Sequence, residues 1–223
     1  MIEPGRPFLD LIGERAAGAL VHGAVIRRWP AGAVLFHEGD RSDRVLIVRS
    51  GRIKLTVTAA NGTETVLAIR GEGELVGELS AIDGEPRVAA AVALGDVACA
   101  VVEVDRFVEV LQGEPDVALV LLRVLTARLR EAEGRRTEAA SLDTVQRLAR
   151  RLSELADSDG VATDGGVVVR GLNQEELGAL VGASRESVSK ALQALRNEGL
   201  LRTARRSVVV TDLQGLRRRG GTA

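Results

Sequence analysis

The stretch Asn173–Leu201 reads NQEELGALVGASRESVSKALQALRNEGLL, and its pattern dominates the C-terminal part of the 223-residue chain. Asn173 is a favoured N-cap residue, and Glu176 follows three positions later, which is the spacing of a capping box. Gly182 interrupts the helical pattern, and Ser184 is placed to cap a second helix. Two short helices joined by a tight glycine-containing turn are typical of a helix-turn-helix.

The second helix has two distinct faces when its residues are placed at about 100° per residue. Its apolar side chains fall together on one side, where we expect them to be buried: Val188, Ala191, Leu192 and Leu195. The opposite side carries only polar side chains, all of which can bond a base edge or a phosphate. Two interpretations follow from this pattern alone: the helix reads DNA, or its polar face is simply solvated.

The run from Glu175 to Leu192, EELGALVGASRESVSKAL, resembles the DNA-binding signature of the catabolite activator/FNR family of bacterial transcription regulators. Members of that family combine a cyclic-nucleotide-type sensor domain with a winged helix-turn-helix. The resemblance implies base contacts from Arg185 and Glu186. Lys190 stands where the family has arginine, so a charge remains but the bidentate fork is lost. The expected DNA-binding residues on this helix are Ser184, Arg185, Glu186, Ser189, Lys190 and Gln193.

A basic hairpin is predicted directly after this helix. Leu200–Thr203 and Ser207–Thr211 read as strands around a tip that contains Arg205 and Arg206. Such a tip is suited to touch DNA phosphates as a wing, so both arginines join the expected DNA-binding residues. The arginine-rich tail that follows is expected to be frayed.

A second resemblance lies in the N-terminal half, at Gly71–Ser80 (GEGELVGELS) and Asp83–Val88 (DGEPRV). Both runs resemble the phosphate-binding cassette of cyclic-nucleotide-binding domains. Glycines let backbone N–H groups approach an anion, and a short helix beginning near Glu78 would add a favourable dipole. The resemblance implies that Glu78 holds a ribose hydroxyl and that Arg87 pairs with the cyclic phosphate. The alternative is a structural ion pair between these two residues in a vestigial pocket.

The effector stays open because the chain departs from the family pattern at two places. Val88 follows the arginine where the family usually has Ser or Thr, whose hydroxyl helps to bind phosphate. Ala132 and Glu133 align with the Thr-Ser pair that meets adenine in the activator. Cyclic AMP or another cyclic nucleotide is the candidate effector. The expected effector-binding residues are Gly77, Glu78, Leu79, Arg87, Val88, Ala132 and Glu133.

Many short apolar runs separated by turn residues occupy the region before residue 105 and predict an antiparallel jelly roll. The predicted strands are Val25–Trp29, Val34–Phe36, Arg44–Val48, Arg52–Thr58, Thr65–Ile69, Val88–Leu94 and Val97–Val104, after a helix over residues 8–22. Asn61-Gly62 between two alternating runs predicts a hairpin. Cys99 lies in an apolar strand and is expected to be an inert core thiol.

A long helix is predicted from Pro115 to about Arg136, with Gly134 as a weak point near its end. It carries a heptad seam: Ala118, Leu122, Leu125, Leu129 and Ala132. This seam either forms a two-helix dimer interface, which we favour, or packs against the chain's own sheet. Asp143 is expected to cap the next helix, and the segment from Asp157 to Gly160 is expected to be a loop.

The fold class expected from these patterns is α+β, in three segments. Residues 1–115 form an antiparallel β jelly-roll sensor, residues 116–142 a dimerisation helix and hinge, and residues 143–223 a winged helix-turn-helix domain. The net charge is only −1, but Arg185–Arg219 holds nine basic and three acidic residues. This local excess fits a DNA-facing end.

The expected function is that of a homodimeric, sequence-specific transcription regulator with an effector in the jelly-roll pocket. Its partners would be double-stranded DNA with a two-fold symmetric operator and, as a further candidate, RNA polymerase. Two alternatives remain: an effector-independent regulator with a degenerate pocket, and a nucleotide-sensing module that acts on a partner protein. No nucleophile–base constellation, Walker loop or metal-ligand spacing is present in the sequence, so no enzyme and no metal site are expected. The absence of a signal-peptide pattern and of a long apolar run predicts a cytoplasmic, non-membrane protein.

Overall fold

The computed structural model describes residues 6–58, 62, 64–204 and 206–221, apart from the side chains of residues 135–137, 139, 140, 159, 175 and 179. The chain divides into an N-terminal unit that ends at Glu131 and a C-terminal unit that begins at Ala132. The boundary lies inside one helix, Pro115–Ser141, rather than in a loop. Each unit has its own antiparallel sheet.

The N-terminal unit is a jelly roll, as the regular run of short apolar segments predicts. Its elements are α1 (Phe8–Val21), β1 (Val25–Trp29), β2 (Val34–Phe36), β3 (Arg44–Thr58), β4 (Glu64–Arg70), β5 (Leu75–Val76), α2 (Glu78–Asp83), β6 (Ala90–Glu103), α3 (Val104–Gly113) and the first part of α4 (Pro115–Ser141). Strands β3 and β6 form the centre of the sheet. Strands β1 and β2 pair with β6, and strands β4 and β5 pair with β3.

The sequence predicts breaks between Arg44–Val48 and Arg52–Thr58 and between Val88–Leu94 and Val97–Val104, but both breaks are irregularities inside long strands. Ser50-Gly51, at the first break, lies within β3, where the register with β6 shifts on both sides of Ser50. Gly51 has φ 80°, and a Cβ there would lie 2.3 Å from the carbonyl oxygen of Asp96. Glycine is therefore required for a close approach of two strands at a bulge. Gly95-Asp96, at the second break, lies within β6, where Gly95 has φ 83°.

The hairpin expected around Asn61-Gly62 is present as the antiparallel pair β3 and β4, whose last described partners are Thr58 and Glu64. Asn61 itself lies outside the described residues.

The core of the jelly roll lies on both faces of β3. Val45 and Ile47 pack with α1, α3 and α4 on one face, and Leu46 and Val48 pack with Cys99 on the other. Cys99 is fully buried, and this burial raises the pKa of its thiol to about 12. The thiol is therefore neutral at physiological pH, which confirms the prediction of an inert core cysteine.

Helix α3 was not predicted from the sequence. It begins at Val104, which the sequence pattern places in the preceding strand, and it buries Phe107 and Val110 in the helix-side core.

Helix α4 is longer than predicted and runs through Gly134 to Ser141. A single glycine costs only about 1 kcal/mol relative to alanine, and good helix formers surround this one. Val117 and Leu121 are buried in the core, whereas Leu122 and Leu129 are 61% and 60% exposed. The seam is thus mostly uncovered within one chain, except that Leu125 packs partly against the core.

The C-terminal unit combines four helices with a small sheet. Its elements after α4 are α5 (Thr144–Asp159), β7 (Val161–Thr163), β8 (Gly166–Arg170), α6 (Gln174–Val181), α7 (Arg185–Asn197), β9 (Leu201–Ala204), β10 (Ser207–Val210) and α8 (Leu213–Arg219). The strand order is β7-β8-β10-β9, and every pair is antiparallel. Among the described helices of both units, none has the length and hydropathy needed to cross a membrane.

Two predictions about the C-terminal unit are wrong. The expected loop at Asp157–Gly160 is mostly the last turn of α5, and the expected frayed tail is the ordered helix α8. Leu216 of α8 is fully buried, and Arg217 pairs with Asp157 at 2.7 Å. The basic run is ordered because the buried side chain of Leu216 and the ion pair of Arg217 attach it to the unit.

Candidate functional site

The helix-turn-helix is built by the caps that the sequence predicts. The side chain of Asn173 accepts from the backbone N–H of Glu176 at 2.9 Å, and the Glu176 carboxylate accepts from the backbone N–H of Asn173 at 2.7 Å. Helix α6 ends at Gly182 in the left-handed conformation (φ 63°). A Cβ at Gly178 would lie 2.6 Å from the carbonyl oxygen of Ala183, so glycine permits the tight turn.

Helix α7 has the two faces expected from its sequence. Ser184 caps it by accepting from the backbone N–H of Ser187 at 3.2 Å. Its apolar face is buried: Val188, Ala191, Leu192 and Leu195. Its polar residues lie on the exposed side, together with the cap: Ser184, Arg185, Glu186, Ser189, Lys190 and Gln193. The structure therefore brings these six predicted residues onto one exposed surface.

The exposed side chains of α7 are bonded mainly to one another. Lys190 pairs with Glu186 at 2.8 Å, although both side chains are more than three-quarters exposed. Gln193 donates to Asn197 at 2.8 Å and accepts from Arg196. Exposed pairs of this kind contribute little to stability, so they can be exchanged for contacts with a ligand.

Arg196 connects α7 to the hairpin that follows it. Its Nη1 donates to the hydroxyl of Thr203 on β9 at 2.8 Å. No role was predicted for Arg196 from the sequence. The sequence feature that could have indicated this contact is an arginine in the last turn of a helix that is soon followed by a strand.

The hairpin of β9 and β10 carries a basic tip beside α6. Arg206 has φ 52°, the only positive φ of a non-glycine residue in the described part of the chain. Its carbonyl accepts from the backbone N–H of Gly171 at 2.9 Å, and its Nη2 lies 4.0 Å from the Oε1 of Glu176. Arg205, the other predicted tip residue, lies outside the described residues.

A cleft of about 420 Å³ opens between α7 and the hairpin. Its polar lining includes Asn173, Arg185, Thr203, Arg206 and Ser207. The cleft thus places the first residue of α7 and the hairpin tip around one space.

The predicted effector residues of the N-terminal unit are brought together around α2. This helix begins at Glu78, and Gly77 precedes it in the left-handed conformation (φ 85°). Glu78 is buried, and its Oε1 accepts from the Nη1 of Arg128 at 2.5 Å. Arg128 also donates to the carbonyl of Leu75 at 3.3 Å.

Arg128 is a site residue that sequence reasoning missed. It continues the buried stripe of α4 formed by Val117, Leu121 and Val124, at alternating spacings of four, three and four residues. A charge at the end of an apolar stripe needs a buried partner, and this signal was available in the sequence. It also corrects the alternative of a Glu78–Arg87 ion pair, because Glu78 pairs with Arg128 instead.

Arg87 is almost completely buried and is held by neutral groups. Its Nη1 donates to the carbonyl of Gly77 at 2.7 Å, and its Nη2 donates to the carbonyl of Arg44 at 2.5 Å. Its guanidinium carbon lies 4.3 Å from the centre of the Phe36 ring. Gly77 has φ 85°, which favours glycine, and a Cβ there would lie 2.2 Å from Nη1 and displace the Arg87 side chain.

The charge of Arg87 has no direct counter-ion. None of the described carboxylates lies within ion-pair distance of its guanidinium, and its buried Nε has no hydrogen-bond partner. Burial lowers the pKa of Arg87 from its ordinary value, and the nearby carboxylate of Asp43 partly opposes this shift. A buried cation that lacks a direct ion pair and has an unused donor is suited to receive an anion.

The remaining predicted effector residues have exposed side chains. Leu79 and Val88 are 40% and 55% exposed. Ala132 and Glu133 lie on exposed positions of α4 in the C-terminal unit. Within the described ranges, no group of His, Cys, Asp and Glu side chains is arranged to hold a metal ion.

Two family models match the chain, one over each unit. A cyclic nucleotide-binding domain matches residues 26–114, which include Glu78 and Arg87. A Crp-like helix-turn-helix domain matches residues 146–219, which include α6, α7 and the hairpin. A CRP-like cAMP-activated global transcriptional regulator from Mycobacterium tuberculosis is 35% identical over 192 residues, which are 86% of each chain. The chain belongs to the CRP/FNR family of transcription regulators.

Solved structures of CRP/FNR proteins have the same fold. The c-di-GMP responsive global regulator CLP of Xanthomonas campestris is 25% identical with a TM-score of 0.77, over 88% of this chain and 98% of its own. A CRP/FNR transcriptional regulator from Thermus thermophilus is 26% identical with a TM-score of 0.76, over 89% and 99%. The similar CRP/FNR proteins are transcription regulators rather than enzymes, in agreement with the sequence.

Proposed function

We propose that this CRP/FNR protein is a homodimeric, sequence-specific regulator whose DNA binding is controlled by an anionic effector, a cyclic nucleotide, in the pocket of Glu78 and Arg87. The observation that carries this proposal is the buried guanidinium of Arg87, which is held by two carbonyls and a ring and faces no carboxylate within ion-pair distance among the described residues. A cyclic phosphate would supply the missing negative charge and the acceptor for Nε.

The names of similar proteins support a nucleotide anion without selecting one. The Mycobacterium tuberculosis relative is described as cAMP-activated, and the Xanthomonas campestris regulator as responsive to c-di-GMP. Both compounds carry a phosphodiester. Because Val88 offers no hydroxyl to such a group, the phosphate would depend on Arg87 and on backbone N–H groups at the start of α2.

The ion pair of Glu78 with Arg128 offers a route from the pocket to α4. A ribose hydroxyl that bonds Glu78 would compete with Arg128 for the same carboxylate. Effector occupancy would thereby change how α4 is held, and we propose that the two units then reorient about Ser141–Asp143. The effector shifts the equilibrium only by its difference in affinity for the two arrangements.

The exposed leucines of α4 support a dimer. Leu122 and Leu129 are about 60% exposed and lie two turns apart on one stripe. Pairing this stripe with a second copy would remove that apolar surface from water. Sedimentation equilibrium is the direct check, and a monomer at micromolar concentration would contradict this part of the proposal.

In the proposed complex, each α7 lies in a major groove of a two-fold symmetric operator. Arg185, Glu186 and Lys190 would contact base edges, while Ser184, Ser189 and Gln193 reach further bases or phosphates. Arg206, together with Arg205, would contact phosphates from the hairpin. Two recognition helices about 34 Å apart would meet successive half-sites on one side of the duplex. RNA polymerase is a further candidate partner.

The test measures DNA affinity and nucleotide affinity on the same variants. Operators are selected from random duplexes, and cyclic AMP, cyclic GMP and cyclic di-GMP serve as effector probes in calorimetry. We expect one of them to bind and to change DNA affinity by about tenfold. Arg87→Gln should abolish both effects, whereas Arg28→Gln, at an exposed position of the same unit, should retain them. If Arg87→Gln leaves nucleotide affinity and response unchanged, the sensor assignment fails.

One observation favours an effector-independent regulator as the second candidate. The Glu78 carboxylate is already bonded to Arg128, so the pocket is partly satisfied without a ligand. This candidate predicts no calorimetric signal with any of the three nucleotides and unchanged DNA binding. The match of the Crp-like helix-turn-helix model favours DNA over the alternative of a module that acts on a partner protein.

A further inference from the structure

Phe36 is the phenylalanine that lies apart from the other two in the jelly-roll core. The chain has only three phenylalanines. Phe8 and Phe107 lie in the core cluster between helices and sheet, whereas Phe36 lies in the second cluster, against which Trp29 also packs. It is the last residue of β2 and is 8% exposed. Its ring faces Arg87, so its position is linked to the anion pocket.

The guanidinium of Arg87 is fixed by contacts of two different kinds. The carbonyls of Gly77 and Arg44 accept hydrogen bonds from its two terminal nitrogens. The ring of Phe36 covers a face, with the guanidinium carbon 4.3 Å from the ring centre. The hydrogen bonds and the ring contact together restrain the guanidinium. Nε, which is buried and without a partner, remains as an unused donor.

The backbone fixes Phe36 and Arg87 relative to each other. The N–H of Gly39 donates to the carbonyl of Arg87, and the N–H of Arg87 donates to the carbonyl of Asp40, both at 2.8 Å. The turn that makes these bonds begins directly after Phe36, and Asp40 closes it by accepting from the N–H of His37 at 2.8 Å. The contact between ring and guanidinium is therefore set by the main chain on both sides.

We infer that Phe36 is a positioning residue of the anion site, which holds the guanidinium of Arg87 oriented for a phosphate oxygen. A carboxylate in this position would neutralise Arg87 and compete with an anionic ligand. The negative face of an aromatic ring attracts the cation without offering a hydrogen-bond acceptor that the ligand must displace. The ring therefore stabilises the buried charge and leaves its Nε free. This inference rests on the proposed function of the pocket.

The binding test compares three variants with cyclic AMP as the calorimetric probe. Phe36→Leu removes the ring but keeps an apolar side chain, and it should weaken cyclic AMP binding about tenfold. Phe36→Tyr keeps the ring and should stay within about twofold of the original affinity. The matched control is Phe107→Leu, an equal change at a fully buried position of the other cluster. It should lower thermal stability comparably and leave affinity within about twofold. Equal weakening by both leucine variants would overturn the positioning role.

A second measurement needs no nucleotide. The Nε–H signal of Arg87, assigned by its loss in Arg87→Lys, should carry a ring-current shift in ¹H–¹⁵N spectra. Phe36→Leu should remove that shift, and Phe107→Leu should not. If the shift is present but cyclic AMP does not bind the unmodified protein, the contact stands and the cyclic AMP effector fails. If Phe36→Leu leaves the Arg87 signal unmoved, the inference itself fails.

Discussion

The two candidate sites of this molecule use charged residues in opposite ways. In the jelly roll, Glu78 and Arg87 are 5% and 3% exposed, and each is held by partners fixed by the fold. On α7, Glu186 and Lys190 have side chains that are 78% and 77% exposed, and they form an ion pair with each other. A buried charge is costly to leave unpaired, whereas an exposed charge is readily exchanged.

This difference suits the ligand that each site is proposed to meet. A small anion has few contacts, so its site gains from donors already in place and removed from water. Duplex DNA offers many phosphates and base edges. A DNA-binding surface therefore needs side chains that can exchange a partner within the protein for a contact with DNA. The contrast predicts large, salt-insensitive effects for changes in the pocket and smaller, salt-sensitive effects for changes on α7.

The largest effect is expected when the buried ion pair of the pocket is broken. Arg128→Leu leaves the carboxylate of Glu78 buried without its partner, so the free energy of unfolding of the N-terminal unit should fall by about 3–5 kcal/mol. Arg123→Leu, at an exposed position of the same helix, is the matched control and should change it by less than about 1 kcal/mol. Adding Glu78→Leu to Arg128→Leu should recover part of the loss. Denaturant unfolding measures all three, and equal losses for the two arginine variants would contradict a structural role of the pair.

An intermediate effect is expected on the recognition helix. Arg185→Ala removes a side chain proposed to reach a guanine edge, so specific DNA binding should weaken by about 1–3 kcal/mol and base preference should relax at one position. Folding stability should hardly change, because Arg185 is exposed. Anisotropy titrations at several salt concentrations separate this base contact from phosphate contacts. Equal weakening on specific and random duplexes would indicate a phosphate contact instead.

Local features of both regions could be predicted from the sequence, because each depends on neighbours within a few positions. The capping box at Asn173, the helix cap at Asp143 and the two faces of α7 are confirmed in the structure. Gly51 is a position where prediction from neighbouring residues in the sequence fails. A glycine of positive φ occurs in turns and in bulges, and only the opposite strand, with Asp96 at 2.3 Å from a Cβ on Gly51, decides between them.

The pocket was less predictable because its partners come from distant parts of the chain. Arg128 meets Glu78 across 50 positions, and Arg44 offers its carbonyl to Arg87 across 43. A backbone carbonyl leaves no trace in the sequence, so the cradle of Arg87 could not be inferred from residue types. The resemblance identified which residues carry the charges, and the fold determines what holds them.

The smallest effect is expected at Glu176, where a cap and an exposed charge pair meet in one side chain. Its Oε2 accepts from the backbone N–H of Asn173, and its Oε1 lies 4.0 Å from Nη2 of Arg206 on the hairpin tip. Glu176→Gln keeps the cap and removes the charge, whereas Glu176→Ala removes both. Unfolding should therefore be unchanged for the glutamine variant and should cost about 1 kcal/mol for the alanine variant.

Substitution of Glu176 should affect DNA binding differently from folding stability. Removing the carboxylate frees Arg206 for phosphate and also removes a repulsive charge, so Glu176→Gln should bind random duplexes about two- to fivefold more tightly at low salt. The gain should shrink as salt rises, because exposed charges are screened over about 10 Å at 0.1 M. If Glu176→Gln binds no more tightly than the unmodified protein at low salt, Arg206 does not exchange Glu176 for DNA, and the hairpin tip would then resemble the fixed charges of the pocket rather than the exchangeable ones of α7.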